Sequence, residues 1–307
     1  MPSPIWLDGT LVSWQEAHTS VLSHAIQRGA LVFDVGALRP REDGRPLLFR
    51  PREHIARFLR SATIVGLDLR YDAESLLAAT AQTVRACGVT TALVRWSAFV
   101  SSPEPDVVAR AGVRASVAIA CMTMEDYART EPVLTNRVTL RVAVPRDIRK
   151  AGPEVISPQA KAAGSYLGPM LAKQRAVADG FDEVVLLDRE GRVAEAPSSS
   201  VFAVQNGALW TPPLERVLAG ITRDCVLAIA REEGIPARES HVSPEEFAGS
   251  DEAFLASTSL PIQPIASVDH RPLRAGAPGP LTARIQRVML ACERGADPRF
   301  QTWAVPV

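Results

Sequence analysis

Lys161 stands in Gln159-Ala160-Lys161-Ala162-Ala163-Gly164-Ser165-Tyr166, with small residues on both sides that leave room beside its amine. A Schiff-base lysine needs such room, because an aldehyde must approach and the amine must be partly desolvated to become neutral. By itself the segment also reads, more simply, as a surface loop lysine. Only three of the 34 Lys and Arg residues are lysines, namely Lys150, Lys161 and Lys173, so amine chemistry has few candidates. Glu195 lies in Arg192-Val193-Ala194-Glu195-Ala196-Pro197-Ser198-Ser199-Ser200. An acid at a strand end, followed by small polar residues, suits a buried cationic heterocycle as well as it suits a solvated turn. Ser198 to Ser200 lack the Gly-x-Ser-x-Gly elbow of a serine hydrolase.

Gly220-Ile221-Thr222-Arg223-Asp224 runs a glycine turn into a helix. The first N–H groups of a helix are unpaired and its dipole is positive there, so an anion such as phosphate is welcome; the plainer reading is a Thr222 cap. Ser257-Thr258-Ser259 is a second polar turn after a strand, able to add hydroxyl and amide donors. Arg57, in His54-Ile55-Ala56-Arg57-Phe58, sits beside the apolar face of a helix and either offers a guanidinium to a phosphate or snorkels.

Positioning these residues requires a framework, and the pattern supplies one. Asp8-Gly9 between Ile5-Trp6-Leu7 and Thr10-Leu11-Val12 predicts a hairpin. Strands are expected over Ala30–Leu38, Pro46–Phe49, Thr91–Phe99 and Val113–Met122. Helices are expected from Pro51 to about Val65, and from an Asp72 cap to near Gly88. Ile55, Phe58, Leu59 and Ala62 share one helical face. The chain turns polar between Thr123 and Asn136 and breaks at Pro132. The expected organisation is therefore a small α+β domain over residues 1–125, a connection over 126–136 and a larger domain over 137–307. In the latter the pattern predicts strands at Val138–Val144, Glu183–Asp188, Val201–Gln205, Ala208–Thr211, Ala253–Ser257 and Ile262–Val268. Helices are expected over about Tyr166–Ala178, Ile221–Glu233 and Thr282–Arg294.

The 307 residues are 47% hydrophobic and 22% charged, enough to bury a full core and unlike a disordered chain. Lys plus Arg balance Asp plus Glu at 34 each, so there is no basic excess for coating nucleic acid. Cys87, Cys121, Cys225 and Cys292 form no Cys-x-x-Cys pair, and read as free thiols buried in a reducing compartment. No metal site is expected. No apolar run reaches the length of a membrane span and Met1 to Ser13 does not read as a signal peptide, so a cytoplasmic protein with no membrane partner is expected.

In its order of motifs the chain resembles the fold-type IV pyridoxal-phosphate enzymes, a group holding branched-chain aminotransferases, D-amino-acid transaminases, R-selective amine transaminases and aminodeoxychorismate lyases. The resemblance covers nearly the whole chain. It runs through Ile5-Trp6-Leu7-Asp8-Gly9, Ser23-His24-Ala25, Val32-Phe33-Asp34 and Arg52-Glu53-His54-Ile55-Ala56-Arg57. It continues through Ala160-Lys161-Ala162-Ala163-Gly164-Ser165-Tyr166-Leu167, Gly220-Ile221-Thr222-Arg223-Asp224, Ser257-Thr258 and Pro264-Ile265-Ala266-Ser267-Val268-Asp269. The branched-chain enzymes are the nearest by these motifs.

The resemblance implies a two-domain α+β fold of the D-amino-acid-aminotransferase type, with a pseudo-barrel sheet in the larger domain. It implies that Lys161 holds pyridoxal 5'-phosphate as an internal aldimine and moves the substrate proton. Glu195 would pair with the pyridine nitrogen, and Tyr166 would lie near the phenolic oxygen. Arg57, Ile221, Thr222 and Thr258 would hold the phosphate. Phe33, Arg95, Arg28 and Ser259 would meet the substrate, Arg95 near its carboxylate. The implied reaction moves an amino group from an amino acid to a 2-oxo acid such as 2-oxoglutarate, in a homodimer. A D-amino-acid or R-amine transaminase, an aminodeoxychorismate-type lyase and a cofactor-binding regulatory protein are the alternatives.

The chain departs from the branched-chain pattern where substrate is read. Arg28-Gly29 stands where a tyrosine usually precedes the glycine. Phe33-Asp34-Val35-Gly36-Ala37 replaces Phe-Glu-Gly-x-Arg, Leu93 replaces an aromatic residue, and Ala196-Pro197-Ser198-Ser199-Ser200 and Ser259-Leu260-Pro261 differ as well. Arg28 is then either a new carboxylate anchor, favouring a D-amino acid or dicarboxylate, or part of an outward ion pair.

Overall fold

The structure, a computed structural model, describes residues 3–123 and 139–307. They fall into two compact units. The first holds residues 3–123 with Ala160–Gly164 and Cys292–Val307, and the second holds residues 139–159 and Ser165–Ala291. The first thus takes in the lysine segment and the C-terminus, which lie far along the sequence. The connection expected over 126–136 lies outside the described residues.

In the first unit β1 (Ile5–Leu7), β2 (Thr10–Val12), β3 (Leu31–Pro40), β4 (Pro46–Phe49), β5 (Ala92–Phe99), β6 (Ser116–Thr123) and β15 (Ala304–Pro306) form a seven-stranded sheet. Its order is β15-β4-β3-β5-β6-β1-β2, antiparallel at each pairing. The Asp8-Gly9 hairpin forms with both residues at positive φ, as the turn type requires. Three helices belong to this unit: α1 (His24–Arg28), α2 (Pro51–Ile64) and α3 (Ala73–Cys87).

Pro at its start favours α2, and the Asp72 side chain caps α3, which Gly88 ends in the left-handed conformation. Both lie on one sheet face, α2 against β3 and β5, and α3 against β1 and β6. Phe58, Ile55, Leu76 and Trp96 are buried there, each contributing about 1.5–3 kcal/mol of apolar transfer. Gly36 of β3 admits the Trp96 indole, since a Cβ at that position would lie 2.7 Å from Trp96 Cη2. The five-residue α1 escapes sequence reading because it is too short for a helical period. Ser23 caps it and Gly29 ends it.

The second unit contains β7 (Leu140–Ala143), β8 (Glu183–Val184), β9 (Ser200–Gln205), β10 (Ala208–Thr211), β11 (Ala237–Glu239), β12 (Glu252–Ala256), β13 (Gln263–Val268) and β14 (Arg271–Pro272). They make a mixed sheet ordered β11-β10-β9-β12-β13-β7-β8, with β14 added on β13. Leu140, Val142, Leu187, Val201, Phe247 and Leu255 fill its core. The helices are α4 (Leu167–Ala178), α5 (Ile221–Glu232), α6 (Pro244–Ala248) and α7 (Pro280–Glu293), the last ending in the first unit's segment.

Several expected strands are shorter in the structure, and two of them show why. Ala115 donates its N–H to the Asp68 carbonyl, and β6 begins only at Ser116. The strand expected over Glu183–Asp188 pairs as a strand only at Glu183–Val184. Leu186 and Leu187 are extended but are shared between two neighbours, one residue at a time. Leu186 N donates to Glu195 O at 2.9 Å and Leu186 O accepts from Ala194 N at 2.9 Å, while Lys150 N donates to Leu187 O at 2.9 Å. An apolar run predicts extension, but the length of pairing depends on partners remote in sequence.

Cys121, Cys225 and Cys292 are buried and Cys87 is half-buried. Among the described residues no helix is long and apolar enough to cross a membrane.

Candidate active site

Two constellations result, one in each unit. In the first, Lys161 is fixed to the sheet through its backbone. Phe33 N donates to Lys161 O at 3.0 Å, and Ala162 bridges Val32 beside it. Lys161 N donates to Ser61 Oγ at 3.0 Å, and Ser61 Oγ donates to Arg57 O at 2.8 Å. A fully buried α2 hydroxyl therefore ties the lysine segment to the turn that carries Arg57. These bonds use only main chain on the lysine side, so they set where the amine starts without consuming it. The Lys161 Nζ lies 4.9 Å from the centre of the Phe33 ring, and the Arg95 guanidinium lies 4.7 Å from the same centre. Pairing of Val35 with Arg95 and of Phe33 with Ser97 puts these odd-numbered residues on the sheet face away from α2. Three expected site residues, Lys161, Phe33 and Arg95, thus come together around one ring.

On the opposite face, Asp34 binds Arg57 through two hydrogen bonds, Nε to Oδ2 at 2.7 Å and Nη2 to Oδ1 at 2.8 Å. His54 Nδ1 meets Asp34 Oδ1 at 2.7 Å, so the neutral ring carries its proton on Nδ1. The His54 ring stacks on Trp96 at 6.1 Å. Asp34 is fully buried, His54 and Arg57 nearly so. Burial alone would raise the Asp34 carboxyl, but the charge and hydrogen bonds of Arg57, with those of His54, outweigh it and hold the group far below the usual carboxylate range. Burial pushes His54 below its ordinary value against the pull of Asp34, and the Arg57 and Lys161 charges lower it further. Arg28, at the end of α1, is exposed and donates to the Gln27 carbonyl at 3.1 Å.

In the second unit, Glu195 sits where the chain doubles back into β9, bridged to Ser200, with Ala196 N bonded to Ser199 O. Its Oε1 is 2.5 Å from Lys150 Nζ, and its Oε2 accepts the Leu218 N–H at 3.1 Å. Ile221 and Thr222 open α5, whose cap residue Gly220 offers no side chain to the first-turn N–H groups. A Cβ on Gly220 would lie 2.6 Å from Ser200 Oγ and 3.2 Å from Arg223 Cβ, so a side chain there would have to displace the Ser200 hydroxyl. Arg223, nearly buried, ties α5 to the Pro212 carbonyl at 2.9 Å and to Glu239 at 3.2 Å. Thr258 and Ser259 are half-buried in the β12–β13 turn, which Ser257 Oγ shapes by donating to Leu260 O at 3.0 Å. Tyr166 is half-buried at the start of α4.

Gly220→Ala should cost about 1–3 kcal/mol of stability, the usual cost of forcing atoms into a packed turn. A melting curve of the variant checks this, and an unshifted curve would contradict the close approach.

In the first unit an amine is fixed through its backbone, as an aldehyde-binding lysine requires. In the second a carboxylate is clamped at both oxygens and a helix opens without a side-chain cap, groups that suit a basic ring nitrogen and a phosphate. Sequence reasoning missed Asp34, His54, Ser61, Lys150 and Leu218. One signal was available: an Asp inside the apolar run Ala30–Leu38 is a buried charge that must have a partner.

Residues 31–268 match the family model of the class IV amino-transferases, and the chain belongs to that family. It is 33% identical over 304 residues to the branched-chain-amino-acid aminotransferase of Salmonella typhimurium, covering 99% of this chain and 97% of that protein. The Pseudomonas aeruginosa enzyme of the same name is 31% identical over 299 residues, covering 97% and 95%. Among solved structures, the branched-chain aminotransferase of Thermoproteus uzoniensis with norvaline superposes with a TM-score of 0.92 at 37% identity, covering 100% of this chain and 99% of that one. The Escherichia coli branched-chain enzyme gives a TM-score of 0.93 at 31% identity, covering 99% of each chain. Another such branched-chain enzyme has been solved with pyridoxamine 5'-phosphate, at a TM-score of 0.92 and 31% identity. The protein is thus a pyridoxal-phosphate-dependent, fold-type IV aminotransferase similar to the branched-chain enzymes, acting on an amino acid and a 2-oxo acid.

Proposed function

We propose that this aminotransferase moves the amino group of a branched-chain L-amino acid to 2-oxoglutarate. The observation that carries the reading is the fixing of Lys161 at Phe33, with Arg95 over the same ring. It sets an amine and a guanidinium around one apolar ring. Val35, Ala37 and Leu93 extend that surface without adding charge.

When bound, pyridoxal phosphate supplies the electron sink and the temporary store for the amino group. The chain's own groups do the rest. Lys161 Nζ would hold the cofactor between turnovers and, once freed by the substrate amine, would carry the proton from the substrate Cα to the cofactor carbon that bore the aldehyde. Glu195 keeps a proton on the pyridine nitrogen. Arg57, the Ile221 and Thr222 N–H groups at the head of α5, and Thr258 bind phosphate. Tyr166 would hold the phenolic oxygen. Arg95 orients the substrate carboxylate, with Phe33 and Ser259 beside the side chain. Arg28 stands as the anchor for a second carboxylate.

Purified enzyme given L-leucine, D-alanine or R-phenylethylamine, each with 2-oxoglutarate, tests the substrate reading. Glutamate should form with L-leucine and not with the other two. Turnover only with D-alanine or the R-amine would replace this reading with the D-amino-acid or R-amine alternative. Pyruvate released from aminodeoxychorismate without amino transfer would replace it with the lyase.

A cytoplasmic homodimer belongs to the same reading. Its support is apolar exposure on segments packed together in the first unit: Val21, Leu22 and Ile26 around α1, and Val107 and Val108 after β5. His24 N joins these segments by donating to Ser102 O at 3.1 Å. Sedimentation equilibrium at twice the chain mass would support the dimer, and a monomer at micromolar concentration would refute it.

A further inference from the structure

Lys150 is a second lysine for which neither the motifs nor the mechanism above has a use. Its ammonium is 2.5 Å from Glu195 Oε1, and the two side chains are 15% and 14% exposed. The pairing is built from the backbone up. Lys150 N donates to Leu187 O, while Leu186 N donates to Glu195 O and Leu186 O accepts from Ala194 N. The adjacent Arg149 bridges Leu187, which in turn bridges Val193 on its other side. Both residues therefore hang from the same short stretch, Leu186-Leu187, one on each flank. Their meeting does not rest on two flexible side chains finding each other, which is why exposed ion pairs are usually weak.

The consequence lies in geometry. Lys150 takes Oε1 and the Leu218 N–H takes Oε2, so both carboxylate oxygens are held. The head group cannot rotate, and its remaining lone pairs point in fixed directions. The ammonium also answers the negative charge of a carboxylate set among buried neighbours. We propose that Lys150 is a positioning residue for the cofactor, orienting the Glu195 carboxylate toward the ring nitrogen of pyridoxal phosphate. This rests on the assignment of Glu195 to that nitrogen. Arginine, also cationic and able to reach a carboxylate, should substitute in part, whereas methionine keeps the stem and loses the charge.

The test uses Lys150→Met, Lys150→Arg, Glu195→Gln and the double variant Lys150→Met/Glu195→Gln. Pyridoxal phosphate is titrated into each apoprotein, and the visible circular dichroism of each holoenzyme is recorded, alongside melting temperatures. Lys150→Met should weaken cofactor binding by about tenfold, the scale seen when a group that orients a ligand is removed. It should also diminish the visible dichroism, with Lys150→Arg restoring most of both. The double variant should bind no more weakly than Glu195→Gln alone, because Lys150 acts through that carboxylate.

Lys150→Met with unchanged affinity and dichroism, while Glu195→Gln alters both, would overturn the role of Lys150 and leave that of Glu195 standing. Additive losses in the double variant would overturn it as well. If Glu195→Gln itself changes neither quantity, the assignment of Glu195 fails and this inference falls with it. Should Lys150→Met not fold, Lys150→Gln against Lys150→Arg makes the same comparison, and equal cofactor affinity in those two would overturn the proposal.

Discussion

A Lys161→Ala variant is expected to lose amino transfer by at least about 10⁴-fold in kcat while keeping its fold, because it removes both the covalent anchor and the proton carrier. The fold should survive because Lys161 is tied down by its own N–H and carbonyl, through Ser61 Oγ and Phe33 N, and alanine keeps both. The ammonium over the Phe33 ring is one contact the fold loses, worth about 0.5–1 kcal/mol. Single-turnover assays with L-leucine, together with a melting curve, check the two halves. Borohydride reduction and peptide mapping of the unsubstituted protein should put the cofactor on Lys161. Full-speed turnover by the variant, or a label on Lys150 or Lys173, would end the mechanism given above.

Asp34→Asn is expected to have the largest effect on stability, about 3–5 kcal/mol, the scale for breaking a buried ion pair from one side. Asp34 answers two donors of Arg57 and one of His54. Asparagine would turn an NH₂ toward a guanidinium and leave a buried cation without its countercharge. A fall in melting temperature on the order of 10 °C should follow. Cofactor affinity should fall too, because Arg57 would no longer be aimed. A melting point unchanged at neutral pH would contradict the network.

The same network sets the acid response. Asp34 titrates lower in the folded than in the unfolded chain, so its contribution is present above about pH 4 and is lost as pH falls toward the folded value. Burial holds His54 below its ordinary value, so the unfolded chain binds that proton first and stability begins to fall below about pH 6.5. Both act in one direction. Denaturant midpoints should therefore decrease from pH 7 through pH 5 to pH 3.5, and Asp34→Asn should flatten the step below pH 4. Equal midpoints across that range would show that neither group is linked to folding.

The local elements were legible in the sequence because their causes are local. Asp8-Gly9 can take positive φ, Pro51 suits a first turn, Asp72 and Gly88 bracket α3, and Gly220 runs into α5. The run Ala160 to Leu167 and the Gly-Ile-Thr turn carried the family and the cofactor for a like reason: small residues and bare N–H groups record what must fit beside them.

What the sequence could not give is who stands beside whom. No local pattern places Ser61 under the main chain of Lys161, a hundred residues later, or Asp34 between His54 and Arg57. Nor does one bring Lys150 and Glu195 onto the two flanks of Leu186-Leu187, or divide the expected strand there between two neighbours. Hydrogen bonds and ion pairs between distant residues depend on sheet register and helix packing, which follow from the whole core. Residue type determines which chemistry a position can perform. Only the folded chain decides which partner restrains it.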